Sequence, residues 1–254
     1  LLQSSAASDV YKRQFLESFM KNVVIVDSVR TGLSKSFRGS FNMTRGDDML
    51  SHLIDALLER NPNLPPDTIE DVIMGCGNPE AATGHNIGRN AVVLSKLPIT
   101  VGGTTVNRYC SSGLQTISMA AGQIMAGGYD TILAGGVEQI TMVQPKINMD
   151  NFVNDQINAE MPGIYFPMGM TAEVVAKRYK VSREQQDEYS LQSQLRTAEA
   201  QEAGRYSDEI IPMKTKMLLT NKETGEQKVV DAECVKDECC LLYTSPSPRD
   251  KHRS

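Results

Sequence analysis

The sequence predicts an α/β protein in which βαβ units form a layered α-β-α domain, followed by a mainly helical region. Short β-branched runs alternate with amphipathic helical stretches through residues 20–141, which is typical of βαβ units in a layered sheet. From about residue 142 this alternation stops, and residues 142–165 are rich in Asn, Gln, Met and Pro with little periodicity. We therefore predict two domains, at residues 20–141 and 142–239.

The first domain opens with a predicted strand at residues 23–26. An amphipathic helix follows at residues 47–60, with acidic residues in its first turn and an apolar stripe on one side. A buried strand at residues 71–74 and a helix at residues 86–97 continue the alternation. The Gly- and Ser-rich connection at residues 30–40 lacks a nucleotide-binding pattern, so we interpret it as a loop.

The residues around Cys110 form the most informative unit of the chain. A β-branched strand at residues 104–106 leads into a small, polar turn at residues 107–113, called the elbow below. A helical pattern then runs to Gly127, and a second strand covers residues 131–134. The helical pattern rests on apolar positions at helical spacing, namely Leu114, Ile117, Ala121, Ile124 and Met125.

Cys110 stands where the helix N-terminus begins. A helix N-terminus favours a thiolate, and its N–H groups can hold an oxyanion after the thiolate attacks a carbonyl. A small buried cysteine at a strand–helix corner fits the same spacing, so the pattern alone leaves both interpretations open. Cys76, between two glycines at a strand end, and His85, in a Gly-flanked loop, are weaker catalytic candidates, and we interpret His52 as structural.

The second domain is predicted to be mainly helical. One helix covers residues 171–179, with Val174, Val175 and Tyr179 facing inward. Ser182 and Gln185 form a capping signature that opens a longer helix ending near Ala203. The charged residues 214–230 are interpreted as a hairpin that turns at Thr224–Gly225.

Composition excludes several classes of protein. The net charge of −5 argues against a nucleic-acid or anionic-membrane partner. No apolar run approaches the roughly 20 residues of a membrane span. The five cysteines show no framework, and three histidines make a metal site improbable, so we expect no metal and a reducing, cytoplasmic location. Residues 1–14 and 240–254 resemble translated sequencing adapter and are interpreted as foreign tails.

Several motifs together resemble the thiolases, the acyltransferases that make or break 3-ketoacyl-CoA. The strings are VNRYCSSGLQTI with AGGVEQITM, VVIVDSVRTGLSKSFRGSF before them, and the stretch from MGMTAEVVAKRYKV to SDEIIPM after them. The motif CSSGLQ is more similar to that of the degradative 3-ketoacyl-CoA thiolases than to that of the biosynthetic acetoacetyl-CoA enzymes. The resemblance implies a thiolase-like N-terminal domain with an inserted loop domain that binds CoA.

The resemblance also implies roles for two residues. Cys110 would be the catalytic nucleophile that carries the acyl group, and Met168 would contact the thioester arm of the substrate. Acyl-CoA and CoA are then the ligands, with CoA acting as a substrate and no further cofactor. Pro167 stands where many family members have a histidine, which fits the degradative branch. A homodimer or homotetramer is expected of the intact enzyme.

A second departure from the family concerns length. Thiolases continue into a C-terminal domain that supplies the histidine base and a second cysteine, and no stretch here matches either. We therefore expect a fragment that lacks the C-terminal thiolase domain and does not turn over. If the source is eukaryotic with a lost targeting segment, a peroxisome or mitochondrion is the alternative location. Three other functions stay open: a biosynthetic acetoacetyl-CoA thiolase, a ketoacyl synthase, and a non-catalytic CoA- or lipid-binding relative.

Overall fold

A computed structural model describes residues 21–241. The predicted foreign tail at residues 1–14 lies outside the described residues. Of the tail predicted at residues 240–254, only Cys240 and Leu241 are described. The described chain forms two compact units, residues 21–146 with 209–236 and residues 147–208 with 237–241. The predicted domains at 20–141 and 142–239 stay a prediction. The compact units are divided differently, since residues 209–236 group with the first unit.

The first unit is built on a parallel sheet. Its strands are β1 (Asp71–Gly75), β2 (Thr104–Val106) and β3 (Ile132–Gly136), in the order β2-β1-β3. Every residue of the central strand β1 is buried. A parallel strand between two neighbours is buried on both faces, which is why it reads as a continuous apolar run rather than an alternating one. The strands predicted at 71–74, 104–106 and 131–134 are confirmed.

Helices cover both faces of this sheet. They are α1 (Gly46–Arg60), α2 (Ile87–Leu94) and α3 (Ser112–Met125). On one face, Val72 and Met74 of β1 join a core with α1 and α2. On the other face, Gly75 lies directly against the start of α3. The order is therefore α-β-α, which confirms the predicted fold class.

The buried face of α3 is not its most apolar one. Ser112, Thr116 and Ala120 are buried, at a spacing of four residues, whereas Leu114 is 72% exposed. The strands beneath α3 end in Gly75 and in Gly135–Gly136, and small side chains let the helix approach them closely. The apolar stripe that predicted this helix thus lies on the side away from the sheet.

The predicted strand at residues 23–26 is wrong. The backbone there forms no strand, and Val24, Ile25 and Val26 are each at least 75% exposed. A β-branched run forms a strand only when a neighbour accepts its hydrogen bonds, and no neighbouring strand reaches it among residues 21–241. Pairing begins later, where Arg30 bridges in parallel to Ile210.

The first unit also contains the predicted hairpin. Its antiparallel strands are β4 (Met213–Thr220) and β5 (Gln227–Cys234). The turn includes Gly225 at φ +72°, a left-handed conformation that glycine adopts without strain. A short helix, α4 (Ile140–Val143), follows β3, with the Gln139 side chain capping its first N–H groups.

The second unit contains three helices among its described residues. They are α5 (Asp155–Glu160), α6 (Met168–Tyr179) and α7 (Arg183–Glu202). The predicted capping box at Ser182 and Gln185 is confirmed. The inward orientation predicted for Val174, Val175 and Tyr179 is wrong, because these side chains are 43%, 46% and 70% exposed. Helical spacing marked an apolar side of α6 without showing whether anything covers it.

Candidate active site

The elbow places Cys110 between the end of β2 and the first turn of α3. Cys110 is exposed to solvent, which removes the alternative of a buried structural cysteine. Tyr109, immediately before it, has φ +47°, a left-handed conformation that is uncommon for a non-glycine residue. This conformation turns the chain sharply enough to present Cys110 at the tip of the corner.

Two side chains hold the elbow in shape. The Asn107 side-chain oxygen accepts the Tyr109 N–H at 2.8 Å. The Ser112 hydroxyl accepts the Arg108 N–H at 2.9 Å and donates to the Tyr109 carbonyl at 2.6 Å. Ser112 is 4% exposed, so these bonds are protected from water. A buried hydroxyl that bridges both sides of the turn fixes the residues that flank Cys110.

The sheet comes unusually close to the elbow. A methyl group added at Gly75 would lie 2.4 Å from the Ser112 carbonyl carbon, and one at Gly136 would lie 3.0 Å from the Gly75 carbonyl oxygen. Real side chains do not tolerate the first of these distances, so β1 must end in glycine. The close approach seats the first turn of α3 on the carboxyl end of the sheet.

Three backbone N–H groups at the elbow and in the first turn of α3 are unpaired. The N–H groups of Cys110, Gly113 and Leu114 have no hydrogen-bond partner among residues 21–241, whereas Ser111, Ser112 and Gln115 donate to carbonyls of the turn. Free N–H groups at a helix N-terminus carry partial positive charge and bind anions. An exposed thiol beside such donors is the arrangement that acyl transfer requires, because the donors can stabilise a tetrahedral oxyanion.

Cys110 also lies at a place where open α/β sheets bind ligands. The connection after β1 leads to α2 on one face of the sheet, and the connection after β2 leads to α3 on the other. Such a reversal opens a crevice outside the carboxyl ends of the two strands. Cys76 follows β1 at this edge and continues the ladder, its N–H donating to the Val106 carbonyl at 2.9 Å.

Cys76 has the properties of an inert thiol. It is 1% exposed, and burial raises the pKa of the Cys76 thiol. The nearby Glu138 carboxylate raises that pKa further. A thiol that stays protonated is a poor nucleophile.

Glu138 is a residue of this edge that sequence reasoning missed. Its carboxylate accepts the Gly77 N–H at 2.8 Å and the Asn78 N–H at 3.3 Å, and the Cys76 sulfur lies 4.0 Å from it. The sequence signal that could have indicated Glu138 is its position, two residues after a strand that ends in Gly–Gly. Its partners lie about 60 residues earlier in the chain, so no local pattern connects them.

The remaining candidates are placed separately. His85 is exposed at φ +60°, and His52 on α1 has its Nε2 atom 3.0 Å from the Pro212 carbonyl; neither forms a hydrogen bond with Cys110. Met168 is the first residue of α6 in the second unit and is 70% exposed. Its predicted contact with the thioester arm stays a prediction.

No group of three or more His, Cys, Asp or Glu side chains in residues 21–241 could hold a metal ion. Within the same range, no helix has both the length and the hydropathy needed to cross a membrane.

Comparison with known proteins gives a consistent result. The family model described as "Thiolase, N-terminal domain" matches residues 23–239. A 3-ketoacyl-CoA thiolase of Bacillus subtilis (strain 168) is 42% identical over 207 residues, covering 82% of this chain and 51% of that protein. The 3-ketoacyl-CoA thiolases of Aliivibrio salmonicida (strain LFI1238) and Vibrio vulnificus (strain CMCP6) are 42% and 40% identical, over 76% of this chain and 50% and 49% of their own lengths. The chain spans about half the length of these relatives.

Proposed function

The chain belongs to the thiolase family, and from this premise we propose that it is the nucleophile-bearing half of a 3-ketoacyl-CoA thiolase with Cys110 as the catalytic cysteine. The reaction is acyl transfer between a cysteine and CoA. The single observation that carries the proposal is the exposed Cys110 thiol at an elbow where the N–H groups of Cys110, Gly113 and Leu114 are unpaired.

The proposed chemistry has two steps. Cys110 Sγ attacks the 3-keto carbon of a 3-ketoacyl-CoA, and the bond between carbons 2 and 3 breaks. Acetyl-CoA leaves as an enolate that takes up a proton, and the shortened acyl group stays on sulfur as a thioester. The thiol of CoA then attacks this thioester, releases the shortened acyl-CoA and restores Cys110. The elbow N–H groups would stabilise the oxyanion formed in each attack.

The base and the acid of this reaction are proposed to lie outside the chain. In the thiolase family, a histidine takes the nucleophile's proton and a second cysteine protonates the enolate. The resemblance implies that both come from the C-terminal thiolase domain, which the family match to residues 23–239 does not include. We therefore expect slow acylation of Cys110 and no steady-state turnover, because loss of a nucleophile's base lowers kcat by several orders of magnitude.

The remaining parts of the proposal follow from the resemblance. Met168, exposed at the start of α6, is proposed to contact the thioester arm of an acyl-CoA. CoA acts as a substrate, and no further cofactor is proposed. A homodimer or homotetramer is proposed for the intact enzyme, and five free cysteines support a reducing, cytoplasmic location.

The test is acylation of the purified 254-residue chain by acetyl-CoA, followed by peptide mass spectrometry. We expect an acetyl group on Cys110, formed as its sulfur attacks the thioester carbonyl and CoA leaves. Cys239, a half-buried thiol outside the elbow, serves as the internal reference, and Cys110→Ser should remove the product. Equal acetylation of Cys110 and Cys239 would contradict a nucleophile role. Steady-state thiolysis that depends on Cys110 would contradict the absence of base and acid.

A further inference from the structure

The Glu138 carboxylate reaches across the carboxyl edge of the sheet. It follows β3 by two residues and accepts hydrogen bonds from the two residues after Cys76, at the end of β1. Oε2 accepts the Gly77 N–H at 2.8 Å, and Oε1 accepts the Asn78 N–H at 3.3 Å and the Asn78 side-chain amide at 3.4 Å. We call Glu138, Gly77 and Asn78 the brace.

The brace lies against the peptide unit that precedes the Cys110 side chain. A methyl group added at Gly77 would lie 2.8 Å from Glu138 Oε2 and 3.4 Å from the Tyr109 carbonyl oxygen. That carbonyl and the Cys110 N–H belong to one planar peptide unit. The Ser112 hydroxyl contacts the same carbonyl at 2.6 Å. The peptide unit is therefore bonded to Ser112 of the helix, and Gly77 of the loop lies close enough that a methyl group there would touch it.

The hydrogen bonds of the Glu138 carboxylate indicate a structural role for its negative charge. Both carboxylate oxygens already accept backbone N–H groups, and the protonated Cys76 thiol donates to Oε1. Hydrogen bonds to an ionised acceptor are about twice as strong as neutral ones. Glu138 itself is solvent-exposed, so it holds this loop from the surface without being sealed in the core.

We propose that Glu138 is a positioning residue, which acts through Gly77 to fix the Cys110 N–H in the direction that stabilises the oxyanion of acyl transfer. This inference rests on the proposed function. It assigns Glu138 no contact with substrate and no proton transfer.

Two reagents distinguish the effect of the orientation of the Cys110 N–H from the effect of the accessibility of the Cys110 thiol. With p-nitrophenyl acetate, Cys110 Sγ bonds to the ester carbonyl carbon, p-nitrophenolate leaves as the C–O bond breaks, and the thiol proton passes to water. This attack passes through an oxyanion. With iodoacetamide, the sulfur displaces iodide at a saturated carbon and no oxyanion forms. A misplaced N–H should slow the first reaction and spare the second.

The test measures both rates at Cys110 in the full chain and in Glu138→Gln. Complete removal of an oxyanion donor costs about 10²–10³-fold in rate, so a displaced donor should cost about tenfold in acylation. Iodoacetamide alkylation should change by less than about twofold, because the thiol stays exposed. The matched control is Glu70→Gln. The Glu70 carboxylate also accepts two backbone N–H groups, of Asp130 and Thr131, but at the opposite end of the sheet.

The outcomes are distinct. If Cys110 of the unmodified chain reacts with p-nitrophenyl acetate no faster than Cys239, the proposed function fails. If Cys110 is preferentially acylated and Glu138→Gln matches Glu70→Gln, the positioning role is wrong and the proposed function stands. Alkylation of the buried Cys76 would reveal unfolding of Glu138→Gln. In that case Asn78→Ala is the deciding variant, because it removes only the 3.4 Å hydrogen bond from the Asn78 side-chain amide to Glu138. This loss should lower the rate of Cys110 acylation about twofold. An unchanged acylation rate in Asn78→Ala would overturn the inference.

Discussion

The two units of the chain are ordered by different forces. The first buries a contiguous core between a parallel sheet and its helices, including Val72, Ile87 and Ala91 at 0% exposure. Among the described residues of the second unit, only Ala200 and Cys240 are buried. Its helices depend instead on local devices, such as the Ser182 capping box. Long-range packing therefore fixes the elbow, whereas the helices of the second unit have little core behind them.

Adding one methyl group in each unit should have different effects on stability. In the first unit, Gly75→Ala places a carbon 2.4 Å from the Ser112 carbonyl carbon, so β1 and α3 must separate. Overpacking of this kind costs about 1–3 kcal/mol and occasionally more, and here backbone is the obstacle, so we expect a loss above about 3 kcal/mol. Hydrogen exchange of the β1 amides would measure it.

The control for this change is Gly169→Ala in α6. Nothing lies within 4 Å of an added methyl there, and alanine favours a helix over glycine by about 0.5–1 kcal/mol. Protection of the α6 amides should rise or stay constant. Equal destabilisation by the two substitutions would contradict the view that only the first unit is tightly packed.

A smaller effect is expected where one threonine ties α3 to the sheet. The Thr116 hydroxyl, fully buried, lies 2.7 Å from the Gly113 carbonyl and 2.9 Å from the Gly135 carbonyl. Thr116→Val leaves these carbonyls without that donor, which should cost about 1–3 kcal/mol in unfolding free energy. Thr197→Val in α7 removes an exposed bond to the Ser193 carbonyl and should be nearly neutral. Urea denaturation, monitored by hydrogen exchange of the α3 and α7 amides, would give the unfolding free energy of each variant. Equal losses of unfolding free energy in the two variants would contradict the prediction.

These predictions depend on features that sequence reasoning recovered unevenly. The three strands of the parallel sheet, the helices α1, α2 and α3 and the elbow at Cys110 were predictable because propensity, spacing and turn residues are local signals. The buried side of α3 was not, because Leu114 and Ile117 mark the apolar side, whereas Gly75 and Gly136 decide which side fits. The strand at 23–26 failed for a similar reason: a strand needs a partner that its own residues do not specify.

The smallest effect at neutral pH concerns the buried thiol of Cys76. Burial raises the pKa of this thiol above its unfolded value, which is about 8.5 in model peptides. Its contribution to stability is therefore complete below that pH and is lost as the pH rises toward the higher folded pKa. The free energy of unfolding should fall less steeply above pH ~8.5 in Cys76→Ala than in the unmodified chain. Parallel slopes in urea titrations from pH ~7 to ~10 would contradict this.

The unpaired run at residues 23–26 affects how the molecule behaves in concentrated solution. Four consecutive β-branched residues, with Val24, Ile25 and Val26 at least 75% exposed, offer a template onto which a second molecule can add the same segment. The net charge of −5 opposes such self-association, and added salt screens that repulsion. We therefore expect added salt to promote self-association through this segment.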